Sequence, residues 1–257
     1  MRIVTWNVYG LTGYPVEDAS AKIGEPGQAS NTDHFADVFE SFDADVIALQ
    51  EGVAHSIARG IARRLGRHLV TFPPPLNWPG HILTRYPVVE SRVFSHTVAD
   101  ESVPRFSRTA GAALLQVADD RQLWVVCVHL HPGDVDLRIR EGELLRERLE
   151  GLFAVCENAV VLGDYNCDVS EPVHEHLRDL GFLNTMVAAG GGLQLTMDTA
   201  DIRPWKIDHI YVSAGLGSSL TSAAVIRGAG FRTDPPRPTG VWDHSDHLPV
   251  RTDLAWP

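Results

Sequence analysis

The sequence predicts a single α/β domain. Three observations predict it. Short apolar runs of β-forming residues recur along the chain, helical patterns lie between several of them, and no repeat, low-complexity stretch or linker divides the 257 residues. A chain of that length can bury one large core, so residues 1–257 are expected to form one domain.

The β-like runs are Arg2–Val8, Asp45–Gln50, His81–Leu83, Gly111–Val117, Leu123–His129, Ala159–Leu162, Ile207–Val212 and Leu220–Ile226. Most are rich in Val, Ile and Leu and are bounded by Gly, Pro, Asp or Asn. Val53, Ile57, Ile61 and Leu65 recur every four residues, with Arg59, Arg63 and Arg67 on another face, which describes an amphipathic helix. Leu145, Leu149 and Leu152 mark a second helix within Val135–Phe153. A third starts after Ser170, with Pro172 suited to its first turn and Gly181 to its end; Asn31–Phe42 reads as a fourth. Gly10–Ser30 lacks periodicity and Phe231–Gly240 is too rich in Pro to continue a central strand, so both read as loops.

Hydrophobic residues make up 44% and charged residues 21%, the proportions of an ordinary globular protein. No apolar run approaches the length needed to span a bilayer, and no apolar hairpin signals membrane docking, so no membrane partner is expected. The start, MRIVTWNV, reads as a strand and lacks the features of a secretory leader; the expected location is cytoplasmic. Cys127, Cys156 and Cys167 are too few and scattered for a disulfide framework and form no CxxC pair. Cys127 reads as a small core residue and Cys167 as a structural residue beside a motif. With 22 Lys and Arg against 33 Asp and Glu, the formal charge is −11. That argues against a basic stripe gripping long nucleic acid, although a bound metal ion would change the local field.

The chemistry-bearing residues gather at strand ends. Asn7 follows Ile3-Val4-Thr5-Trp6, Glu51 follows Val46–Gln50, and His129 follows Val125–Val128. Asp164 and Asn166 follow Val160–Gly163, Asp208 and His209 open Ile210–Val212, and Asp246 and His247 precede Leu248–Val250. A strand end is a rigid mount beside an open loop, where α/β proteins build sites. Taken singly, Asn7 reads equally well as a turn residue, and Asp164 with Asn166 as an Asx turn. Ser245-Asp246-His247 makes a poor serine triad, because adjacent residues point to different sides; by the same argument His209 faces away from Asp208.

In order, WN at 6–7, QE at 50–51, HL at 129–130, GDYN at 163–166, IDHIYVS at 207–213 and SDHLPV at 245–250 resemble the motifs of the endonuclease/exonuclease/phosphatase family. The run from His81 to Val88 is similar to that family's ILSRYP strand. The resemblance implies a DNase I-like four-layer sandwich, with two mixed β-sheets packed face to face, helices outside, and a site at one edge. It implies that Asn7 and Glu51 hold Mg²⁺ or Mn²⁺, with Asp246 as a further ligand, directly or through water. It assigns His247 to the attacking water, as general base or pairing imidazole, with Asp208 fixing its tautomer. Asp164 would orient that water or the metal, Asn166 would donate to a phosphoryl oxygen, and His129 would contact the phosphate, stabilising charge or protonating the leaving oxygen.

Trp78, Arg105, Arg108, Trp205 and Trp242 are candidates for the pocket wall, since Arg forks onto phosphate and Trp stacks on flat groups. Trp6, flanked by strand residues, reads as core. His131 and His244 flank motif residues. Family members act on DNA, RNA tails, sphingomyelin, inositol phosphates and phosphotyrosyl–DNA links, and those acting at abasic sites usually lack a histidine where His129 stands. The expected function is hydrolysis of a phosphodiester or phosphomonoester of a nucleotide, short nucleic acid or phosphorylated small molecule. A nuclease on longer DNA or RNA is the second reading. A silent binding module is the third, and the intact Asn7, Glu51, Asp164, Asn166, Asp208 and His247 count against it.

Overall fold

In the computed structural model the described residues are 1–14, 29–75, 77–95, 106–198, 204–228, 230–231 and 243–256. They form two six-stranded mixed sheets flanked by helices. The first sheet contains, across its width, Leu220–Val225, Val250–Leu254, Arg2–Asn7, Val46–Gln50, Gly80–Thr84 and His68–Phe72; these are β13, β14, β1, β2, β4 and β3 in chain order. The second contains Val88–Val93, Ala110–Ala118, Arg121–His129, Ala159–Asp164, Asp208–Val212 and Leu183–Asn184, which are β5, β6, β7, β8, β12 and β9. Met197–Asp198 (β10) and Pro204–Trp205 (β11) make a separate two-stranded ribbon.

Each sheet contains one parallel pair, and in each case the intervening chain includes a helix, as a parallel crossover requires. Ala29–Ser41 (α1) lies between the parallel strands β1 and β2, and Val135–Phe153 (α3) lies between β7 and β8. His55–Arg64 (α2), Pro172–Asp179 (α4) and Thr185–Ala189 (α5) complete the helices among the described residues. Alternation along each strand sends side chains to two different cores. On β1, Ile3 enters the layer between the sheets, with Val46, Ala48, Val125, Val160 and Leu162. Val4 and Trp6 enter the opposite layer, against Phe35 and Phe39 of α1 and Ile61 of α2. On the far side, Trp124, Val126 and Val161 meet Leu145, Leu149 and Leu152 of α3. The result is helix, sheet, sheet, helix.

Polar contacts cross the central layer as well, and one lies deep between the sheets. Gln50 of β2, fully buried, donates Nε2–H to Thr5 Oγ1 at 3.1 Å and to Cys127 Sγ of β7 at 3.3 Å. A buried amide needs such partners, and the bond to Cys127 links the two sheets next to Glu51.

The expected strands and four expected helices are present with ends shifted by a few residues. The strands β3, β5 and β14 were not expected, because His68–Phe72 and Val88–Val93 are half-exposed and RTD interrupts the apolar pattern of Val250–Leu254. The α1 helix starts at Ala29, so the expected loop Gly10–Ser30 is too long at its end, and Tyr9–Leu11 within it forms a 3-10 turn. Residues 15–28 of that expected loop, and 232–240 of the expected loop Phe231–Gly240, lie outside the described residues, as do Arg105 and Trp242. No helix among the described residues is long and apolar enough to cross a membrane.

Candidate active site

Both sheets deliver residues to one edge. In the first sheet the parallel register sets Asn7 opposite Gln50, so Asn7 and Glu51 leave adjacent strands at the same level. In the second, His129 is opposite Asp164 and Asp164 is opposite Asp208, which aligns three candidate side chains across β7, β8 and β12. The segment Asp243–Pro249, leading into β14, brings His247 between the two groups.

The local backbone is built for these positions. Gly163 has φ +143°, and a Cβ there would lie 1.9 Å from the Val128 carbonyl oxygen, so only Gly lets β8 approach β7 before Asp164. Glu51 itself has φ +49°, an uncommon conformation for Glu, held by Gly10 N–H donating to its carbonyl at 2.8 Å. The next residue, Gly52, donates to Pro79 O at 2.8 Å and leaves room for the His81 imidazole. His81 is within 2.9 Å of Val53 O through Nε2 and 3.0 Å of Thr71 Oγ1 through Nδ1, and so braces the loop that carries Glu51.

At the centre, His247 Nδ1–H donates to Asp208 Oδ2 at 2.9 Å, and His247 Nε2 lies 3.8 Å from Asp164 Oδ2. Asn7 Nδ2–H donates to Asp164 Oδ2 at 3.0 Å, and Asn7 Oδ1 accepts from Tyr9 N–H at 3.2 Å. His129 Nε2 lies 3.5 Å from Asp164 Oδ2 and 3.8 Å from Glu51 Oε1. The His247 backbone is pinned by Trp6, whose indole N–H donates to its carbonyl at 3.0 Å, so this core residue also fixes the site. Ser245 Oγ donates to Asn7 O at 2.7 Å and accepts His247 N–H at 3.1 Å, joining the SDH turn to β1.

Electrostatics follow from burial. Desolvation raises the Glu51 carboxyl, against the pull of His247 and Asn7. Asp164, fully enclosed, is raised by desolvation despite His247. Burial alone would lower His247, but the facing Asp208 and Asp164 carboxylates hold its proton well above the usual range. His129 is lowered to about 3 by desolvation, with Arg108 and His247 adding to it, so it is neutral. Among the described residues no Lys or Arg lies within salt-bridge distance of Glu51, Asp164, Asp208 or Asp246. His129 Nδ1 and Asp208 Oδ1 are buried without a hydrogen-bond partner there. Ligand atoms of Asp164, Asp208 and His247 all lie within 4.8 Å of one another, a spacing that could hold a metal ion.

The remaining expected site residues divide. Asp246 is nearly buried, accepts from Ser245 Oγ at 3.3 Å and acts electrostatically on Glu51. Asn166 sits at φ +52°, its N–H donating to Asp164 Oδ1 at 2.9 Å and its Nδ2–H to Leu130 O at 2.9 Å. It therefore closes an Asx turn and ties two loops, with its second amide hydrogen still available. Arg108 acts on both Glu51 and His129. Trp205, on β11, pairs with Met197, which bridges to His247. Trp78 packs near Tyr9 and Gly10. His209 faces away, its Nδ1 3.3 Å from Asn184 Nδ2 and its ring against Tyr165 and His174. His244 packs on Trp6, Phe35 and Phe231, and Cys167 is buried with Sγ 3.4 Å from His174 Nε2. The bracing His81 and pinning Trp6 were not among the expected site residues; each lies next to or across from a motif residue, which was the available signal.

The chain matches the family model described as endonuclease/exonuclease/phosphatase family over residues 4–247. No curated protein matches it significantly in sequence. Among solved structures, it resembles a functionally unknown conserved protein from Enterococcus faecalis, with 20% identity, 99% of each chain covered and a TM-score of 0.75. It resembles the 3′ phosphatase NExo from Neisseria, bound to a product DNA hairpin, with 18% identity, 100% of each chain covered and a TM-score of 0.72. It also resembles truncated TDP2 from Caenorhabditis elegans, with 16% identity, 98% of this chain and 96% of that one covered, and a TM-score of 0.69. At such identities the likeness carries the fold, and the family match carries the membership. The chain belongs to the endonuclease/exonuclease/phosphatase family, whose enzymes hydrolyse phosphate esters.

Proposed function

We propose that this protein is a divalent-metal-dependent phosphoesterase. It hydrolyses a phosphodiester or phosphomonoester of a nucleotide, short nucleic acid or phosphorylated small molecule by in-line attack of water. The observation that carries this reading is the buried His247–Asp208 pair, 2.9 Å apart, whose free ring nitrogen faces Asp164 at the edge where Asn7, Glu51 and His129 meet.

The donor set suits Mg²⁺ or Mn²⁺. It offers hard oxygens from Glu51, Asp246 and the Asn7 amide, and burial raises the Glu51 carboxyl, so a cation there relieves a desolvated charge. When bound, the ion supplies charge neutralisation on the phosphoryl and leaving oxygens and opposes the pull of the carboxylates on the His247 proton. Asp208 fixes the His247 tautomer with Nε2 toward the site, as the acid of a hydrolase triad does, and Nε2 takes the proton of the attacking water. Asp164 orients that water. Neutral His129 donates to the phosphate, and Asn166 has one amide hydrogen to add. Arg108, with Trp205, would form the substrate wall.

Contributions from residue 7 to residue 247 support 1–257 as one working domain. A cytoplasmic location belongs to the same reading and is supported by three unpaired cysteines. The acidic charge favours a small substrate over long DNA. The test is hydrolysis of bis-p-nitrophenyl phosphate and p-nitrophenyl phosphate, expected only with Mg²⁺ or Mn²⁺; activity that survives EDTA refutes it. A panel of nucleotides, oligonucleotides, inositol phosphates and phospholipid head groups then separates the substrate classes.

A further inference from the structure

Two loops border the site without supplying its central residues. Ser107-Arg108-Thr109 enters β6, and Leu130-His131 leaves β7. Thr109 O accepts the His129 backbone N–H at 2.7 Å, so the segments carrying Arg108 and His131 meet at the strand end that carries His129.

One side chain holds both loops. Glu141 of α3 is fully buried, yet its carboxylate makes no use of helix donors. Its Oε1 accepts Ser107 N–H at 2.7 Å and the Ser107 hydroxyl at 2.6 Å, and its Oε2 accepts His131 N–H at 2.9 Å. A buried carboxylate is unfavourable unless its lone pairs are filled; here they are filled by the two loops. Arg138, one turn earlier and also buried, donates Nη1–H to His131 O at 2.9 Å while its Nε–H and Nη2–H fork onto Glu171 at 2.9 and 2.7 Å.

The His131 ring is held as well. Its Nδ1 accepts Gly133 N–H at 3.2 Å and Asp134 N–H at 2.9 Å, which places the ring hydrogen on Nε2. With backbone N–H, carbonyl and Nδ1 all engaged, Nε2–H is the one donor of His131 that no described residue uses. Arg108 and His131 both lie close enough to act electrostatically on His129.

We propose that Glu141 is a positioning residue that fixes Ser107 and His131 so that the Arg108 guanidinium and His131 Nε2–H together contact the substrate phosphate. This inference rests on the phosphoesterase reading and adds two things to it: a new donor, His131, and the buried group that aims both donors. Arg108 alone on a mobile loop would lose orientation on binding; held at Ser107, it is preorganised.

The test is a mutant cycle on bis-p-nitrophenyl phosphate with Mg²⁺. Glu141→Gln puts an amide N–H against one of the loop donors. It is expected to lower kcat/KM about 10-fold, chiefly through KM, and Arg108→Ala with His131→Ala about 100-fold. In that double background Glu141→Gln should cost less than about 2-fold, because the groups it acts through are gone. Ser107→Ala removes one of the same bonds without touching the buried carboxylate, and should lose about 3-fold in the wild-type background and nothing in the double variant. An additive loss, or wild-type kinetics for both Glu141→Gln and Ser107→Ala, overturns the inference while leaving the phosphoesterase reading intact. If the wild type hydrolyses no ester, that reading fails and the inference is read instead from binding of inorganic phosphate. Phosphate should then raise Tm and slow amide exchange at Ser107 and His131 in the wild type and much less in Glu141→Gln or the double variant; equal effects in all three overturn it.

Discussion

Acid should unfold this protein over a narrow pH range. Burial lowers His34, and it lowers five other histidines far: His81, His174 and His244 to about 4, and His129 and His209 to about 3. In the unfolded chain each returns to about 6.5. A histidine lowered in the folded state contributes stability that is present above pH 6.5 and is lost as pH falls toward its folded value. Near pH 5.5 each is almost neutral when folded and almost fully protonated when unfolded, so unfolding takes up close to five protons at these sites. Two carboxyls act in the opposite sense. Asp164, raised by burial to about 7, keeps in the folded state a proton that it releases on unfolding, and so offsets part of this uptake; burial raises Glu51 in the same direction. His247, raised, is protonated in both states at that pH and contributes little. Averaged from pH 6.5, where the unfolded histidines are half protonated, to pH 5.5, these five uptakes less the Asp164 proton come to about three, and at about 1.36 kcal/mol per proton per pH unit stability falls by about 4 kcal/mol. That is a large fraction of the ~5–15 kcal/mol that holds a typical domain. Urea unfolding in EDTA, followed by tryptophan fluorescence at pH 7.5, 6.5 and 5.5, measures the slope, and His174→Gln should reduce it by about one proton. A change below about 1 kcal/mol between pH 6.5 and 5.5 would refute the reasoning, because the histidines would then not be buried in neutral form.

Three further outcomes follow from the site. Asp208→Asn should slow hydrolysis of bis-p-nitrophenyl phosphate by about 10³–10⁴-fold with the fold retained, since His247 loses the partner that sets its tautomer; a rate within tenfold of wild type contradicts the assignment. Glu51→Gln removes a desolvated carboxylate, so it should raise Tm in EDTA by roughly 2–4 °C and abolish the Tm increase produced by Mg²⁺, both read by scanning calorimetry; a lower Tm contradicts the electrostatic argument. Gly163→Ala should destabilise by roughly 4 kcal/mol or more, because its Cβ would sit 1.9 Å from Val128 O; a wild-type Tm would show that β7 and β8 are not so close.

The central strands were legible because they are buried on both faces and read as unbroken apolar runs, as Val46–Gln50 and Ala159–Asp164 do. The outer strands were not. Val88–Val93 alternates exposure and carries Glu90, Ser91 and Arg92, a composition that a loop also tolerates. Pairing was beyond reach as well, since the antiparallel register of Asp164 with Asp208 joins residues 44 apart. For the site, residue types at strand ends pointed to Asn7, Glu51, His129, Asp164, Asp208 and His247, and the structure brings these together. The residues that hold them were hidden for a physical reason. His81 and Trp6 stand inside the quoted motifs, but like Glu141 they act through hydrogen bonds to backbone, a role that residue type and spacing do not announce.

The contact between Gln50 and Cys127 gives this protein an internal clock. The Cys127 thiol lies between the sheets and is pushed up to about 12 by burial, so in the closed sandwich it is both shielded and protonated. An alkylating reagent reaches it only when the layers separate, while half-buried Cys156 serves as a reference that labels without such opening. Asn7 and Glu51 belong to one layer and Asp164 and Asp208 to the other. Each separation that exposes Cys127 therefore also takes the candidate site apart. The labelling rate of a single thiol counts the intervals during which the enzyme is, for a moment, two inactive halves.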